Sequence, residues 1–340
     1  MAPTELASIA KDLVAESKGI LAADESHPTI AKRFTNIEVE NTEENRRAYR
    51  DMLFNTPRLE EFISGVILFD ETIRQSSKDG TPFSELLQGR GIIPGIKVDK
   101  GAKDLALFPG EKVTEGLDGL RDRLKEYYEL GARFTKWRAV IDIADDIPTI
   151  FGIAANTHAL SRFAALSQEA GLVPIVEPEV LMDGAHSIDK CGEVTREVLK
   201  SLFQQLDLHR VPLEGLLLKT NMVISGKKNS DRADVAAVAE KTLTVLKETV
   251  PADVPGIVFL SGGQSDEEAT AHLDAMNKIG GFPWELSFSY GRALQAPSLA
   301  AWKGQTANIE AGQKALYLRA KLNGAARSGK YSPDMENEAA

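Results

Sequence analysis

Eight short apolar runs, each followed by a longer stretch of mixed polarity, constrain this chain more than any other feature. They are GILAAD (19–24), GVILFD (65–70), IIPGIKVD (92–99), ARFTKWR (132–138), LVPIVEPE (172–179), LEGLLLKTNMV (213–223), GIVFLS (256–261) and WELSFSY (284–290). Apolar runs this short read as buried strands. Between them, amphipathic patterns at 116–130, 155–170, 188–208, 233–250 and 266–279 read as helices. Strands alternating with helices imply crossover connections and a parallel sheet. Eight such units predict an α/β fold, a closed (β/α)₈ TIM barrel. The rival is a doubly wound open sheet. No Gly-x-Gly-x-x-Gly follows the first strand to support a dinucleotide-binding version of it.

A chain of 340 residues would by length alone suggest two or three domains, but barrels with insertions reach this size. The expectation is one domain over 1–340, with the barrel at about 19–303 and a C-terminal helix and tail at about 304–340. An extra N-terminal helix at 5–17 would cap the barrel floor or pack outside. Stretches 297–303 and 309–323 read as outer helices, and from 328 onward periodicity is lost, which predicts a mobile tail.

Apolar residues make up 43% and charged residues 26%, ordinary for a soluble enzyme. A net charge of −10 argues against a nucleic-acid partner and requires a local basic cluster for any phosphorylated substrate. The single cysteine, Cys191, excludes an intrachain disulfide and a Cys-based metal site, and it reads as structural. A reducing, cytoplasmic location fits that usage. The five histidines lack ligand spacing, so no metal is expected. Glu5 and Asp12 interrupt the apolar residues of the first segment, unlike a signal peptide. No apolar run approaches about 18 residues, so no membrane span is expected.

Nearly every strand candidate ends in a polar residue: Asp24, Asp70, Lys97, Lys136, Glu177, Lys219, Ser261 and Ser289. In a (β/α)₈ barrel these ends converge on the catalytic face. Any one of them alone is more simply an exit to solvent; convergence of the set is harder to dismiss. Lys136 and Arg138 are two apart, as are Glu177 and Glu179, so each pair projects to one side of its strand.

Lys219 closes an apolar run, although lysine is rarely buried without compensation. An isolated lysine has a pKa near 10.4, leaving roughly one in 2,500 neutral at pH 7. Desolvation and a neighbouring positive charge lower that pKa and make an amine nucleophilic. Lys219 beside Lys136 would suit Schiff-base chemistry. Two unrelated lysines, each paired with a glutamate such as Glu177 or Glu179, would suit the sequence as well.

FLSGGQS (259–265) and FSYGRAL (288–294) follow the last two strands. Glycines allow close backbone approach, N–H groups at a helix start bind anions, and Arg292 adds a bidentate donor. Barrel phosphate sites are often built from these two loops. NTEENRR (41–47) reads as a capped helix start, with Arg46 a candidate to reach substrate.

Taken together, KGILAADES, ENTEENRR, GVILFDET, GIKVDKG, KWRAV, VPIVEPEV, LEGLLLKTNM, FLSGGQS, FSYGRALQA and GKYSP resemble the class I, Schiff-base fructose-1,6-bisphosphate aldolases across almost the whole chain. The resemblance implies a lyase, without metal or cofactor, that cleaves fructose 1,6-bisphosphate reversibly to dihydroxyacetone phosphate and glyceraldehyde 3-phosphate in glycolysis, gluconeogenesis or carbon fixation. It implies that Lys219 forms the Schiff base with the C2 carbonyl and that Glu177 moves protons, supported by Glu179. Asp24 would take the C4-hydroxyl proton, and Lys136 would tune the site. Ser261, Gly262, Gly263, Ser289, Gly291 and Arg292 match the C1-phosphate site. Arg33, Lys97, Arg46 and Arg138 match basic residues near the rest of the bisphosphate, with Ser26 and Thr29 close by. The family is commonly tetrameric, so a homo-oligomer with a small-molecule partner, and neither nucleic acid nor membrane, is expected.

The chain departs from the family pattern in three places. Thr220 follows the Schiff-base lysine where the family usually has proline, which loosens one restraint on Lys219. DESHPT (24–29) replaces the familiar Asp-Glu-Ser-Thr-Gly-Ser. Many members end in a tyrosine that handles the C3 proton; this sequence ends in Ala340, and Tyr331 matches an upstream position, which implies slower late proton transfer or another group. The alternatives are a same-fold aldolase for another sugar phosphate, such as sedoheptulose 1,7-bisphosphate, and a non-catalytic scaffold.

Overall fold

The computed structural model describes residues 3–337. Eight strands form the closed parallel barrel: β1 (Gly19–Ala22), β2 (Ile63–Leu68), β3 (Ile93–Lys97), β6 (Phe134–Ile141), β7 (Val173–Val180), β8 (Leu217–Thr220), β9 (Gly256–Phe259) and β10 (Glu285–Tyr290). Strands β4 (Ala102–Asp104) and β5 (Lys112–Thr114) make a separate antiparallel pair in the β3–β6 connection. The barrel order is β1-β10-β9-β8-β7-β6-β3-β2, so β1 closes the ring by pairing with both β2 and β10. All eight expected strands are present. The sixth is shorter than its run: Leu213–Gly215 forms a 3-10 turn, and only Leu217–Thr220 pairs.

The helices in chain order are α1 (Pro3–Leu13), α2 (His27–Thr35), α3 (Glu43–Phe54), α4 (Asp70–Ile73), α5 (Phe83–Gly89), α6 (Leu120–Glu129), α7 (Ile150–Glu169), α8 (Ile188–Leu208), α9 (Val235–Thr249), α10 (Asp266–Ile279), α11 (Arg292–Trp302) and α12 (Ile309–Arg327). Several start on side-chain caps that satisfy free N–H groups of the first turn. Thr149 accepts from Gly152, Ser187 from Lys190 and Asp234 from Ala237. Ser265 forms a reciprocal capping box with Glu268.

Two hydrophobic layers hold the barrel. Outside, strand residues such as Trp137 stack on helix residues such as Phe163, with ring centres 5.6 Å apart. Inside, the floor is filled by Ile20, Phe134, Val173, Leu217 and Val258, joined by Leu6, Ala10 and Leu13 of α1. Helix α1 therefore plugs the floor, which leaves the opposite mouth as the open end. Phe134 lies flat across β3, and a Cβ on Gly95 would come within 2.3 Å of its ring. Only glycine allows that approach.

The stretch after residue 328, expected as a mobile tail, is attached as far as residue 337. Tyr331 is buried, its N–H donates to Asp274 at 2.9 Å, and its hydroxyl donates to Glu336 at 2.9 Å. Arg319 donates to both oxygens of Glu336 at 2.8 and 2.6 Å. Residues 338–340, the end of the expected tail, lie outside the described residues.

Candidate active site at the carboxyl ends of the strands

The mouth of the barrel holds a cavity of about 910 Å³. Strand pleating decides which side chains reach it. On β6, Lys136 and Arg138 turn inward while Trp137 and Ala139 enter the outer core. On β7, Glu177 and Glu179 do the same, and Arg138 sits in register with Glu177. Lys219 is the inward residue of the last turn of β8, and Asp24 lies two residues beyond β1.

Asp24, Lys136, Glu177 and Lys219 form a continuous ionic path. Lys136 Nζ lies 2.6 Å from Asp24 Oδ2 and 3.3 Å from Glu177 Oε2, while Lys219 Nζ lies 3.1 Å from Glu177 Oε1. Lys136, Glu177 and Lys219 are each at most 4% exposed. Burial alone would raise the Asp24 carboxyl, but Lys136 and Lys219 outweigh it and hold it well below the ordinary carboxylate range. Glu177 is lowered in the same way by Lys136, Lys219 and Arg138, against its own burial. For Lys136 the balance is reversed: burial would lower it, yet Asp24, Glu177 and Asp99 push it above the ordinary lysine range. Glu177 Oε2 is within ion-pair distance of Lys136 but accepts no hydrogen bond among the described residues, which leaves it a free lone pair.

The basic residues flank this path. Glu179 receives Arg138 Nε, and their pairing keeps the guanidinium charged at the cavity edge. Lys97 is held by Asp99 Oδ1 at 2.6 Å, and the same carboxylate accepts the backbone N–H groups of Gly101 and Arg138 at 3.1 and 3.2 Å. On α2, Arg33 pairs with Glu25, which also receives Arg50 and, at 2.8 Å, Gln295 Nε2. Ser26 and Thr29 lie at the same rim with their hydroxyls 3.1 Å apart.

Opposite them stand the two loops after β9 and β10. Arg292 crosses between them: Nη1 meets Asp266 at 2.7 Å, and Nη2 donates to Ser261 O at 3.0 Å and to Gln264 O. Ser261, Gly262, Ser289 and Gly291 line the cavity beside it. Among the described residues, Ser289 Oγ is buried with no hydrogen-bond partner. A buried hydroxyl left unpaired at a cavity wall marks a place where a ligand oxygen would bind. Gly263 has φ +77° and supports the turn without lining the cavity. A Cβ there would also strike Met182 at 2.3 Å.

Besides Gly263, one expected residue sits elsewhere. Arg46 does not line the cavity; its Nε and Nη2 are taken by Glu71 at 2.7 and 2.6 Å. Asp70 lines the rim of the cavity, half-exposed, and accepts from Tyr127 at 2.8 Å. Glu25 and Asp99, which anchor Arg33 and Lys97, were not singled out from sequence. The signal was adjacency: Glu25 follows Asp24, and Asp99 lies two residues beyond Lys97 on the same side of the chain. Among the described residues, no group of three or more His, Cys, Asp or Glu could hold a metal ion, and no helix is long and apolar enough to cross a membrane.

A buried lysine sharing a carboxylate with a second lysine, between two glycine-bearing loops and a basic rim, is equipped for imine chemistry on a phosphorylated carbonyl compound. The family model "Fructose-bisphosphate aldolase class-I" matches residues 5–340, and the chain belongs to that family. It is 60% identical over 332 residues to the "Probable fructose-bisphosphate aldolase class 1" of Xanthomonas axonopodis pv. citri, covering 97% of this chain and 99% of that protein. It is 51% identical over 333 residues to "Fructose-bisphosphate aldolase 4, cytosolic" of Arabidopsis thaliana, covering 98% and 85%. A solved fructose-bisphosphate aldolase from Plasmodium falciparum, in complex with TRAP and a small-molecule inhibitor, superposes with a TM-score of 0.95 at 50% identity, covering 97% and 95%. The protein is thus a metal-independent lyase that makes and breaks the C3–C4 bond of fructose 1,6-bisphosphate through a lysine Schiff base.

Proposed function

We propose that Lys219 is the lysine that forms this Schiff base and that Lys136 is not. The observation that carries the assignment is the sharing of Glu177. Lys136 is committed to Asp24 at 2.6 Å and to Glu177 at 3.3 Å, whereas among the described residues Lys219 has Glu177 alone, at 3.1 Å. Two carboxylates keep Lys136 an ammonium; Lys219 can pass its proton to Glu177 and attack.

The steps then follow by proton and electron balance. The Lys219 amine adds to the C2 carbonyl, and Glu177 delivers the proton with which the carbinolamine loses water. Asp24, already a carboxylate, takes the proton of the C4 hydroxyl. The C3–C4 electron pair moves into the protonated imine to give an enamine, and glyceraldehyde 3-phosphate leaves. Protonation at C3 and hydrolysis of the imine release dihydroxyacetone phosphate. Lys136 stabilises the negative charge of Asp24 and Glu177, while Glu179 holds Arg138. Ser261, Gly262, Gly263, Ser289, Gly291 and Arg292 form the C1-phosphate site, Gly263 by shaping the turn. Arg33, Lys97 and Arg138, with Ser26 and Thr29, receive the remainder of the bisphosphate. Arg46 serves this end of the site only by fixing Glu71.

Borohydride added with dihydroxyacetone phosphate should trap an adduct on Lys219, located by peptide mass. Loss of activity with EDTA and no trapped adduct would refute the assignment. Turnover of sedoheptulose 1,7-bisphosphate beside fructose 1,6-bisphosphate measures the preference between sugars.

The chain is further proposed to act as one barrel domain in a cytoplasmic homotetramer. The Arabidopsis relative named cytosolic supports the location. An apolar surface cluster supports assembly: Leu107 is 97% and Ile150 89% exposed beside the stacked Phe108 and Phe151. A solution mass of one chain, or two separate melting transitions, would overturn these points.

A further inference from the structure

The loop 261–265, which carries half of the proposed phosphate site, rests on a buried histidine. Gln264 is 5% exposed and faces away from the cavity. Its backbone is fully used: the N–H donates to Ser261 O at 3.3 Å, and the carbonyl receives Arg292. Its side chain spans the inside of the turn, with Nε2 directed to Gly262 O at 3.5 Å. That leaves Oε1 pointing down into α10, where His272 Nδ1 meets it at 2.7 Å. The nitrogen of the amide is turned to the Gly262 carbonyl, so the proton of the lower contact belongs to His272 Nδ1. His272 is 4% exposed and does not touch the cavity.

The consequence is a chain of contacts from α10 to the phosphate loop. His272 fixes the Gln264 amide, the amide fixes the Gly262 carbonyl, and the peptide following that carbonyl presents the loop to the cavity. The loop needs this support because Gly262 and Gly263 restrict the backbone little. An apolar side chain at 272 would fill similar space but leave Gln264 Oε1 buried and unpaired, and the amide would turn to find a partner.

We infer that His272 is a positioning residue for the phosphate loop, setting the affinity for the C1-phosphate of the substrate through Gln264 and without contacting substrate itself. This rests on the reading of loops 261–265 and 289–292 as the C1-phosphate site. The experiment compares His272→Leu, His272→Asn and Ser289→Ala by steady-state turnover of fructose 1,6-bisphosphate and by competition with inorganic phosphate. His272→Leu is expected to raise KM and the phosphate inhibition constant about tenfold, the order of one buried hydrogen bond, with kcat changed by less than about threefold. Asparagine can place its Nδ2 where the histidine has Nδ1, so His272→Asn should restore both constants. A structural defect alone would not be rescued in this way and would not separate KM from kcat. If His272→Leu does not fold, Gln264→Leu removes the same bond from the other side and is expected to give the same split. A normal KM for His272→Leu beside a raised KM for Ser289→Ala overturns the inference alone. A normal KM for Ser289→Ala overturns the phosphate reading and the inference with it.

Discussion

Lys136 Nζ and Asp24 Oδ2 stand 2.6 Å apart and join β6 to the loop after β1 across the open mouth of the barrel. The pairing keeps Asp24 ionised, which in the proposed mechanism leaves it ready to accept the C4-hydroxyl proton. Asp24→Asn keeps the shape and a hydrogen-bond acceptor for Lys136 while removing the base. Cleavage of fructose 1,6-bisphosphate should fall by about 10²–10⁴-fold. Borohydride trapping of dihydroxyacetone phosphate on Lys219 should persist. Loss of both together would mean that Asp24 serves Schiff-base formation instead.

Arg33 and Arg46 separate the basic residues into one that lines the cavity and one that does not. Arg33 lines the cavity, held by Glu25; Arg46 is turned away in a two-point pair with Glu71. Arg33→Ala should raise KM by about tenfold to a hundredfold, the range for a charged hydrogen bond. Arg46→Ala should change KM by less than about threefold and lower stability by about 1 kcal/mol, as for a partly shielded ion pair. Parallel kinetics and thermal melts of the two variants check this; equal KM effects would place Arg46 in the substrate site after all.

Ser289 offers a test in which stability and binding move in opposite directions. Its hydroxyl is buried and unpaired, which costs the free protein about 1–3 kcal/mol relative to a paired group. Ser289→Ala removes that burden and should raise the melting temperature of the free protein slightly. The same change should weaken inorganic phosphate as a competitive inhibitor. A variant less stable than the parent would show that the hydroxyl has a partner in the folded protein.

The barrel could be read from sequence because parallel strands, buried on both faces, appear as unbroken apolar runs. Leu172–Glu179 and Gly256–Ser261 gave strands within a residue or two of β7 and β9. The connections from β2 to β3 and from β3 to β6 were not readable in the same way. Helix α4 is four residues long, and β4 and β5 are strands of three residues each. Such elements have too few apolar positions to show a period. The site followed the same logic. Lys219, Glu177 and Lys136 were visible because a charge at the end of an apolar run is unusual. Arg46 was misplaced because its destination depends on Glu71, a residue of α4, and nothing in the local sequence of α3 announces that pairing. Glu25 and Asp99 were hidden by their neighbours, each looking like the continuation of a polar turn.

His272 also sets a pH window for folding. Burial lowers its pKa from 6.5 to about 4, only partly opposed by Glu268, with Arg232 adding to the depression. A histidine depressed in the folded state is neutral there when the unfolded chain has already taken up a proton. Its contribution is therefore complete above about pH 6.5 and is lost progressively as pH falls toward 4. At about 1.4 kcal/mol per unit, the interval between 6.5 and about 4 corresponds to roughly 3 kcal/mol. Carboxylates such as Asp24 and Glu177, lowered by their lysines, lose their contribution only as pH falls below the ordinary carboxylate range toward their own depressed values. Between pH 6.5 and 5 His272 should thus contribute to the slope beside His186, whose pKa burial also lowers and whose share is common to parent and variant. Denaturant melts across that interval, run beside His272→Asn, measure it. The parent should lose stability with falling pH more steeply than the variant, which keeps the bond to Gln264 and has no proton to gain. Equal slopes would show that His272 titrates alike in the folded and unfolded chain.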